Sequence, residues 1–266
     1  MARYLKRYIV ITGLVVIGLF SGFTYYESHH STERINWGDT SNEAEPTKTL
    51  NAETNTEPIK LPPIQNEELN EVTTFVNYDV PFTSQAPTGN WDDERQQDGC
   101  EETSALMAML WVRNKTITAK QAETEILTIS DYEQTTYGEF RDISLEDVKR
   151  WIFTDYFKYN NVSVEMNITP TTIISALRDG GVVLVPMNGQ KLRNPYFTAP
   201  GPERHMLLIR GYDPSTKEFI TNDPGTKRGE NYRYSEATII DAILVYPTGH
   251  HEPANEDLKG MIIVKK

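Results

Sequence analysis

The sequence is poor in cysteine and in positive charge, and each shortage excludes a class of protein. Cys100 is the single cysteine in 266 residues, so no internal disulfide can form, and a disulfide-stapled secreted scaffold is excluded. Acidic residues number 38 against 26 basic ones, which gives a formal net charge of -12. Because nucleic-acid phosphates would repel such a chain, we expect no nucleic-acid partner.

Charge is also missing from residues 8–26, a stretch of 19 residues that follows Arg3, Lys6 and Arg7. As a helix it would be about 28 Å long, close to the hydrocarbon thickness of a bilayer. We therefore predict that residues 1–26 form a single-pass membrane anchor, with the N-terminus cytoplasmic and the remainder extracytoplasmic. The small-residue A-x-A cleavage pattern is missing, which favours an anchor over a cleaved signal peptide. If cleavage occurs, the remainder would be secreted.

The rest of the chain divides by composition. Residues 27–75 carry ten acidic and three basic residues, and their apolar content is too low for a core, so we predict a disordered acidic linker. From residue 76 the composition is globular, and hydrophobic residues make up 38% of the whole chain. We predict one catalytic domain over residues 76–250 and a C-terminal tail or edge strand over residues 251–266.

Hydrophobic periodicity and capping residues predict an α+β domain. Helices are predicted to start at Cys100 and to cover residues 118–129, with Thr118 as N-cap, residues 144–156, with Ser144 as N-cap, and a short segment from Pro170 to Gly180. Strands are predicted over residues 74–80, 161–168, 182–187, 205–212, 218–221 and 242–246, with a last edge strand over residues 261–264.

Cys100 lies at the predicted start of a mostly buried helix. Asp98 and Glu101 are spaced like an N-cap and its capping-box partner. In the first turn, free backbone N–H groups and the helix dipole favour a thiolate, which a cysteine nucleophile requires. Two observations oppose this interpretation: lone cysteines are more often small buried hydrophobes, and the carboxylates of Glu101 and Glu102 would disfavour a thiolate.

His205 opens an apolar strand, and Asp223 follows the strand that returns beside it. In an antiparallel hairpin these two ends are neighbours, which suits a carboxylate that orients an imidazole. Together with Cys100 they predict a cysteine–histidine–aspartate centre, in which the histidine takes the thiol proton and later protonates the leaving group. Asn222 and Asp213 are alternatives to Asp223.

A tetrahedral intermediate also needs hydrogen-bond donors for its oxyanion. The backbone N–H of Cys100 is one candidate donor. Gln85, Gln96 and Gln97 are candidates for a second, and Gln85 is favoured because it lies in a loop bounded by proline and glycine. Gln96 and Gln97 can equally be solvated or capping residues.

The remaining histidines and three loop aromatics are the other residues to consider for binding a metal ion or a substrate. His29–His30 and His250–His251 are the remaining histidines. Neither pair has the spacing of a metal site, so we expect no metal and no cofactor. Trp91, Tyr196 and Phe197 lie in loops near the proposed centre and are candidates for a substrate groove, although such aromatics are more often packed.

The chain resembles stand-alone bacterial members of peptidase family C thirty-nine, the double-glycine-leader-peptidase-like branch of the papain-like cysteine peptidases. The matching segments are DVPFTSQAP around Gln85, NWD and DGCEETS around Cys100, PGPERH ending at His205, and GYD followed by NDPG around Asp223. They occur in family order over residues 78–247. The resemblance implies Cys100 as nucleophile, His205 as base and Asp223 as its orienting carboxylate. It also implies Gln85 as oxyanion donor, and a papain-like fold in which a helical part carrying Cys100 packs on an antiparallel sheet carrying His205 and Asp223.

The chain departs from its relatives in two respects. It has no Walker motif and no set of six membrane spans, so leader-peptide export is not implied. Glu101 and Glu102 replace the small residues that often follow the nucleophile.

We predict a membrane-anchored extracytoplasmic cysteine peptidase that cleaves peptide or amide bonds of a peptide or protein substrate through a thioester. The alternatives are a papain-like acyltransferase, transpeptidase or cell-wall amidase, and a catalytically inactive tethered binding domain.

Overall fold

A seven-stranded antiparallel sheet forms the centre of the computed structural model, which describes residues 35, 37 and 74–266. The strands are β1 (Val76–Asn77), β2 (Val162–Met166), β3 (Gly181–Met187), β4 (His205–Asp213), β5 (Glu218–Asn222), β6 (Tyr232–Ser235) and β7 (Gly260–Lys265). Their spatial order is β2-β7-β3-β4-β5-β6, and β1 pairs with β4. Every pairing is antiparallel. The predicted α+β class is confirmed.

Helices cover both faces of this sheet. They are α1 (Glu94–Gln97), α2 (Cys100–Val112), α3 (Ala119–Tyr137), α4 (Leu145–Asp147), the π-helix Val148–Tyr156, α5 (Pro170–Arg178), α6 (Gly189–Leu192) and α7 (Glu236–Ala242). One core contains α2, α3 and the π-helix, and the other contains α5 and α7. Val182 and Leu184 of β3 enter the first core, whereas Val183 and Val185 enter the second. Burial on both faces explains why β3 is a continuous apolar run.

The predicted N-terminal features fall largely outside this structure. The anchor at residues 1–26 and the linker up to residue 73, except residues 35 and 37, lie outside the described residues. Within residues 74–266, no helix is long and apolar enough to cross a bilayer.

Two predicted N-caps are confirmed, and the helices that follow them differ from the prediction. Thr118 and Gln121 form a reciprocal capping box, and α3 continues to Tyr137, well beyond the predicted end. Ser144 accepts a hydrogen bond from the Asp147 N–H, but the chain winds into a π-helix after one short α-helical segment. A wider π-turn and an α-turn present similar apolar stripes, so periodicity does not separate them.

The first predicted strand, residues 74–80, is a strand only at Val76–Asn77. β3 pairs with β4 as far as Ile209, and β1 pairs only with Gly211 and Tyr212 beyond that point. The other side of β4 is already paired with β5. The strand β1 can therefore pair only with the few residues of β4 that β3 leaves unpaired.

The C-terminal strand β7 lies inside the sheet, between β2 and β3, so the predicted edge strand is wrong. Ile262 and Val264 enter one core, while Met261 and Ile263 enter the other. A short apolar run near a chain end suggested an edge, but burial on both faces is the property of an inner strand. The folded domain therefore includes this C-terminal segment.

The strand predicted over residues 242–246 is also wrong. Helix α7 ends at the start of this stretch, and Ile243 and Val245 each make one isolated antiparallel bridge. Leu244 and Tyr246 are nevertheless buried. The apolar run therefore reflects burial beside the sheet and not membership of it.

Candidate active site

A cleft of about 680 Å³ collects most of the residues that the sequence singled out. Gln85, Cys100 and His205 line it. The aromatic residues proposed for a substrate groove, Trp91, Tyr196 and Phe197, line it as well. Asp223 lies directly behind His205, so these four predicted residues occupy one region of the molecule.

The His205 ring is joined to Asp223 by a buried hydrogen bond. His205 Nε2 lies 2.9 Å from Asp223 Oδ1, and the two side chains are 2% and 0% exposed. His205 begins β4 and Asp223 follows β5, so the antiparallel pairing of these strands brings them together. Because a carboxylate only accepts, Nε2 carries the proton of a neutral ring, which leaves Nδ1 as its free acceptor.

Three further groups hold the Asp223 carboxylate. Tyr234 OH donates to Oδ2 over 2.6 Å, and the Gly225 N–H donates to Oδ1 over 3.0 Å. Asn194 Nδ2 lies 3.3 Å from Oδ2. Burial by itself raises the pKa of this carboxyl. The charge of His205 when its ring is protonated, the hydrogen bond from His205 and the bonds from Tyr234 and Gly225 outweigh burial and lower the pKa. Asp223 is therefore an ionised, oriented partner for the imidazole.

Gly99, and not the predicted Asp98, is the N-cap of the helix that begins at Cys100. Asp98 instead completes α1, and its N–H donates to the Glu94 carbonyl. A Cβ at Gly99 would lie 2.4 Å from the Arg95 carbonyl oxygen, so only glycine allows α1 and α2 to follow each other this closely. The glycine of the DGC segment is thus explained by packing.

The Cys100 thiol donates its hydrogen bond to a carboxylate. In the part of the chain that the structure describes, Sγ bonds Glu101 Oε2 at 2.9 Å and does not bond His205. Burial, followed by the charges of Glu101, Glu102 and Asp142, raises the pKa of the thiol well above its ordinary value. The start of the helix is therefore insufficient to produce a thiolate in this arrangement, because burial opposes the charge most and the glutamates oppose it further.

Buried acids continue beneath the thiol. Burial raises the pKa of Glu101 to about 7, although the bonds from Cys100 and Tyr246 act in the opposite direction. Burial and neighbouring glutamates raise the pKa of Glu102 and Glu133 well above the ordinary range. Ser130 donates to Glu102 over 2.8 Å. Glu102 and Glu133 therefore keep protons that exposed glutamates would lose, whereas Glu101 exchanges its proton near neutral pH.

Gln85 uses both protons of its amide inside the protein. Nε2 donates to the carbonyls of Gln96 and Gln97, at 3.0 and 2.7 Å. These hydrogen bonds connect the loop that carries Gln85 to the end of α1. The role of Gln85 as an oxyanion donor stays a prediction. Gln96 is buried, whereas Gln97 is exposed and lines the cleft.

Comparison with known proteins identifies the family. A family model described as the Peptidase_C39 like family matches residues 77–247, more than half of the chain. The chain belongs to the Peptidase_C39-like family. This confirms the resemblance found in the four ordered segments.

A solved structure with which this C39-like chain can be compared is the crystal structure of a Bacillus anthracis protein assigned as a C39-like peptidase. The two share 14% sequence identity with a TM-score of 0.45, over 73% of this chain and 98% of the other. No curated protein matches the sequence.

Several residues that support the candidate site could not be found from the sequence. Tyr234 and Asn194 support Asp223, and Tyr246 OH donates to Glu101 Oε1 over 2.7 Å. Tyr246 is 145 positions from Glu101, so no local spacing could connect them. The family segments around the candidate catalytic residues contain none of these supporting tyrosines.

Proposed function

We propose that this chain is a papain-like cysteine peptidase with Cys100 as nucleophile, His205 as general base and Asp223 as the carboxylate that orients the base. The observation that carries the proposal is the buried His205–Asp223 hydrogen bond of 2.9 Å at the wall of the cleft that Cys100 also lines. The helical part with Cys100, packed on an antiparallel sheet with His205 and Asp223, supports the papain-like arrangement.

The proposed reaction begins with transfer of the thiol proton from Cys100 Sγ to His205 Nδ1. The thiolate attacks the substrate carbonyl carbon, and the backbone N–H of Cys100, free in the first helical turn, donates to the oxyanion. Collapse of the tetrahedral intermediate breaks the C–N bond, and the imidazolium protonates the departing amine. Water, deprotonated by the imidazole, then hydrolyses the thioester and releases the acid.

In the first step the Cys100 thiol must replace its hydrogen bond to Glu101 with one to His205. Sγ now bonds Glu101, so it must turn toward His205 before the proton can move. Loss of the Glu101 charge, by protonation or by substrate contact, would favour this turn because the carboxylate opposes a thiolate. Residues 1–26 complete the proposal as an anchor that holds the domain on the extracytoplasmic face of a membrane.

A peptide library carrying an electrophilic vinyl sulfone tests the proposal on the full chain. We expect covalent labelling of Cys100, detected by mass spectrometry, and no labelling of Cys100→Ser. His205→Ala should label on the order of 100-fold more slowly at neutral pH, because general-base assistance contributes roughly 10²–10⁴-fold. Equal, slow labelling of the wild type and His205→Ala would overturn the proposal.

The bond between Cys100 and Glu101 favours one rival, an inactive tethered binding domain, because it holds the thiol protonated. This rival predicts that the wild type and His205→Ala label alike. A papain-like acyltransferase, transpeptidase or amidase shares the thioester. Product analysis with added amine acceptors separates the two transferases from hydrolysis, and a comparison of peptide with cell-wall substrates separates the amidase from the peptidase.

A further inference from the structure

Three metal-ligating side chains meet outside the proposed catalytic set. Asp142, His250 and His251 place one ligand atom each within 4.8 Å of one another. Asp142 is 7% exposed, and the two histidines are exposed. Asp142 and His251 also line the cleft that contains Cys100. The cluster therefore borders the cleft and is accessible from solvent.

Backbone contacts hold the two parts of this cluster together. The N–H of His251 donates to Asp142 Oδ2 over 2.6 Å, and the Gly249 N–H donates to the Asp142 carbonyl over 3.2 Å. His251 and Asp142 are 109 positions apart. The ligand atoms are thus brought together before any ion arrives, which reduces the ordering that binding would require.

The ligand types fit a particular class of cation. Two imidazoles and one carboxylate oxygen suit Zn²⁺ and neighbouring divalent transition metals better than Ca²⁺ or Mg²⁺, which prefer oxygen ligands. Three protein ligands leave a fourth position for water or another oxygen. Since Asp142 and His251 line the cleft, an ion held by them would border it.

The surrounding charges also favour a cation. Asp98 interacts electrostatically with all three members of the cluster, and Glu203 Oε2 lies 3.6 Å from His251 Nδ1. The nearby guanidinium of Arg141 is paired with Glu139 at 3.1 Å, so its charge is largely compensated. With neutral histidines, carboxylates therefore dominate around the cluster.

We propose that Asp142, His250 and His251 bind a divalent transition-metal ion of the Zn²⁺ class at the rim of the cleft. This replaces the expectation, drawn from sequence spacing, that His250–His251 has no metal. The proposal does not depend on the proposed peptidase activity, because it concerns binding that can be measured directly.

Cobalt(II) binding to the full chain is the test, measured by equilibrium dialysis and by visible absorption of the bound ion. The wild type should bind Co²⁺, and Cys100→Ser should retain this binding, which excludes the thiol as the principal ligand. His250→Ala and His251→Ala should each weaken binding at least about tenfold, since loss of even outer-shell partners of a metal weakens binding roughly 10–100-fold. Asp142→Asn should weaken it in the same direction.

The matched control is His29→Ala with His30→Ala, which removes the other histidine pair. Retained Co²⁺ binding in this control, together with loss in the cluster variants, would support the site. Unchanged binding in the cluster variants, or loss in the control, would overturn it. A second measurement needs no variant: Co²⁺ should protect His250 and His251 of the wild type from diethyl pyrocarbonate, and equal modification with and without the ion would also overturn it.

Discussion

Cys100 Sγ donates a hydrogen bond to Glu101 Oε2 over 2.9 Å, so the residue beside the candidate nucleophile competes with His205 for the thiol. Glu101 is only 1% exposed. Tyr246 OH donates to its other oxygen over 2.7 Å and also reaches the carbonyl of His205 at 3.2 Å. The carboxylate is therefore fixed between the start of α2 and the start of β4. Reactivity of Cys100 should therefore depend on Glu101 as well as on His205.

Replacing Glu101 with glutamine should make Cys100 more reactive. The amide fills the same space, removes the negative charge that opposes a thiolate, and offers an N–H to Sγ. We expect the apparent pKa of the thiol to fall and alkylation at pH 7 to rise on the order of tenfold, the effect of one pKa unit. Alkylation of Cys100, quenched at set times over a series of pH values, measures both the apparent pKa and the rate.

Glu94→Gln is the matched control for that experiment, because Glu94 is an exposed acid in the neighbouring helix α1. It should leave the alkylation profile of Cys100 unchanged. If Glu101→Gln and Glu94→Gln give the same profile as the wild type, the carboxylate does not restrain the thiol.

Stability should decrease between about pH 4.5 and pH 7 because of the buried glutamates. Burial raises the pKa of Glu101 to about 7 in the folded chain, whereas an unfolded glutamate titrates near 4.3. The folded state therefore binds more protons in this window, and its stabilisation is complete below the unfolded pKa and is lost as the pH rises through 7. The expected loss from this residue is about 3 kcal/mol.

Urea unfolding at pH 5 and pH 8 measures this loss, and Glu101→Gln should reduce the difference between the two free energies of unfolding. Glu102 and Glu133, whose pKa values are raised in the same direction, should leave part of the difference in place. Asp223 acts at lower pH because its folded pKa is lowered; its contribution is lost only as the pH falls through that value. An unfolding free energy that is equal or greater at pH 8 would contradict this account.

Asp223→Asn should slow vinyl sulfone labelling of Cys100, because an amide can present its N–H to His205 Nε2 and stabilise the wrong tautomer. We expect a decrease on the order of 10²-fold or more, since the equivalent change in a serine protease triad costs about 10⁴ in rate. Asp213→Asn is the control on the same hairpin, where the carboxylate pairs with Arg233 at 2.9 Å on the surface. Equal rates for the two variants would show that Asp223 does not orient the base.

The pairing of His205 with Asp223 could be predicted because hairpin topology alone brings the ends of two consecutive strands together. Other parts of the site could not be predicted in this way. The spacing of Glu101 from Asp98 suggested a capping box, but α1 uses Asp98 for its own end, and the Glu101 side chain turns to Cys100 instead. Contacts between distant segments, such as Asp142 with His251, leave no local pattern.

In the sheet, too, local patterns could be predicted, whereas contacts between distant segments could not. Apolar runs identified β3, β4 and β7 as strands, but an apolar run records burial and not the neighbours of a strand. The inner position of β7 depends on its pairing with β2 and β3. Even the nearest of these pairs in the sequence, Leu184 with Ile262, joins residues 78 positions apart. Residues 242–246 are buried without joining the sheet, which periodicity could not distinguish from a strand.

Gly225→Ala should disturb the imidazole with only a moderate effect on stability. A Cβ at this position would lie 2.8 Å from Phe197 Cε1 and 3.0 Å from His205 Cε1, and Phe197 packs edge-on against His205 with ring centroids 5.4 Å apart. The added methyl group must therefore push one ring or both. We expect slower labelling of Cys100 and a destabilisation of about 1–3 kcal/mol, the usual range for overpacking.

Gly138→Ala controls for the loss of stability alone. Gly138 ends α3 at φ +90, and a Cβ there meets nothing within 4 Å, so alanine would be strained by the backbone conformation without touching the cleft. It should lower the unfolding free energy by about 1 kcal/mol and leave the labelling rate unchanged. If Gly225→Ala behaves in the same way, the close approach at Gly225 does not position His205, since a displaced imidazole would have to change the rate at which Cys100 reacts.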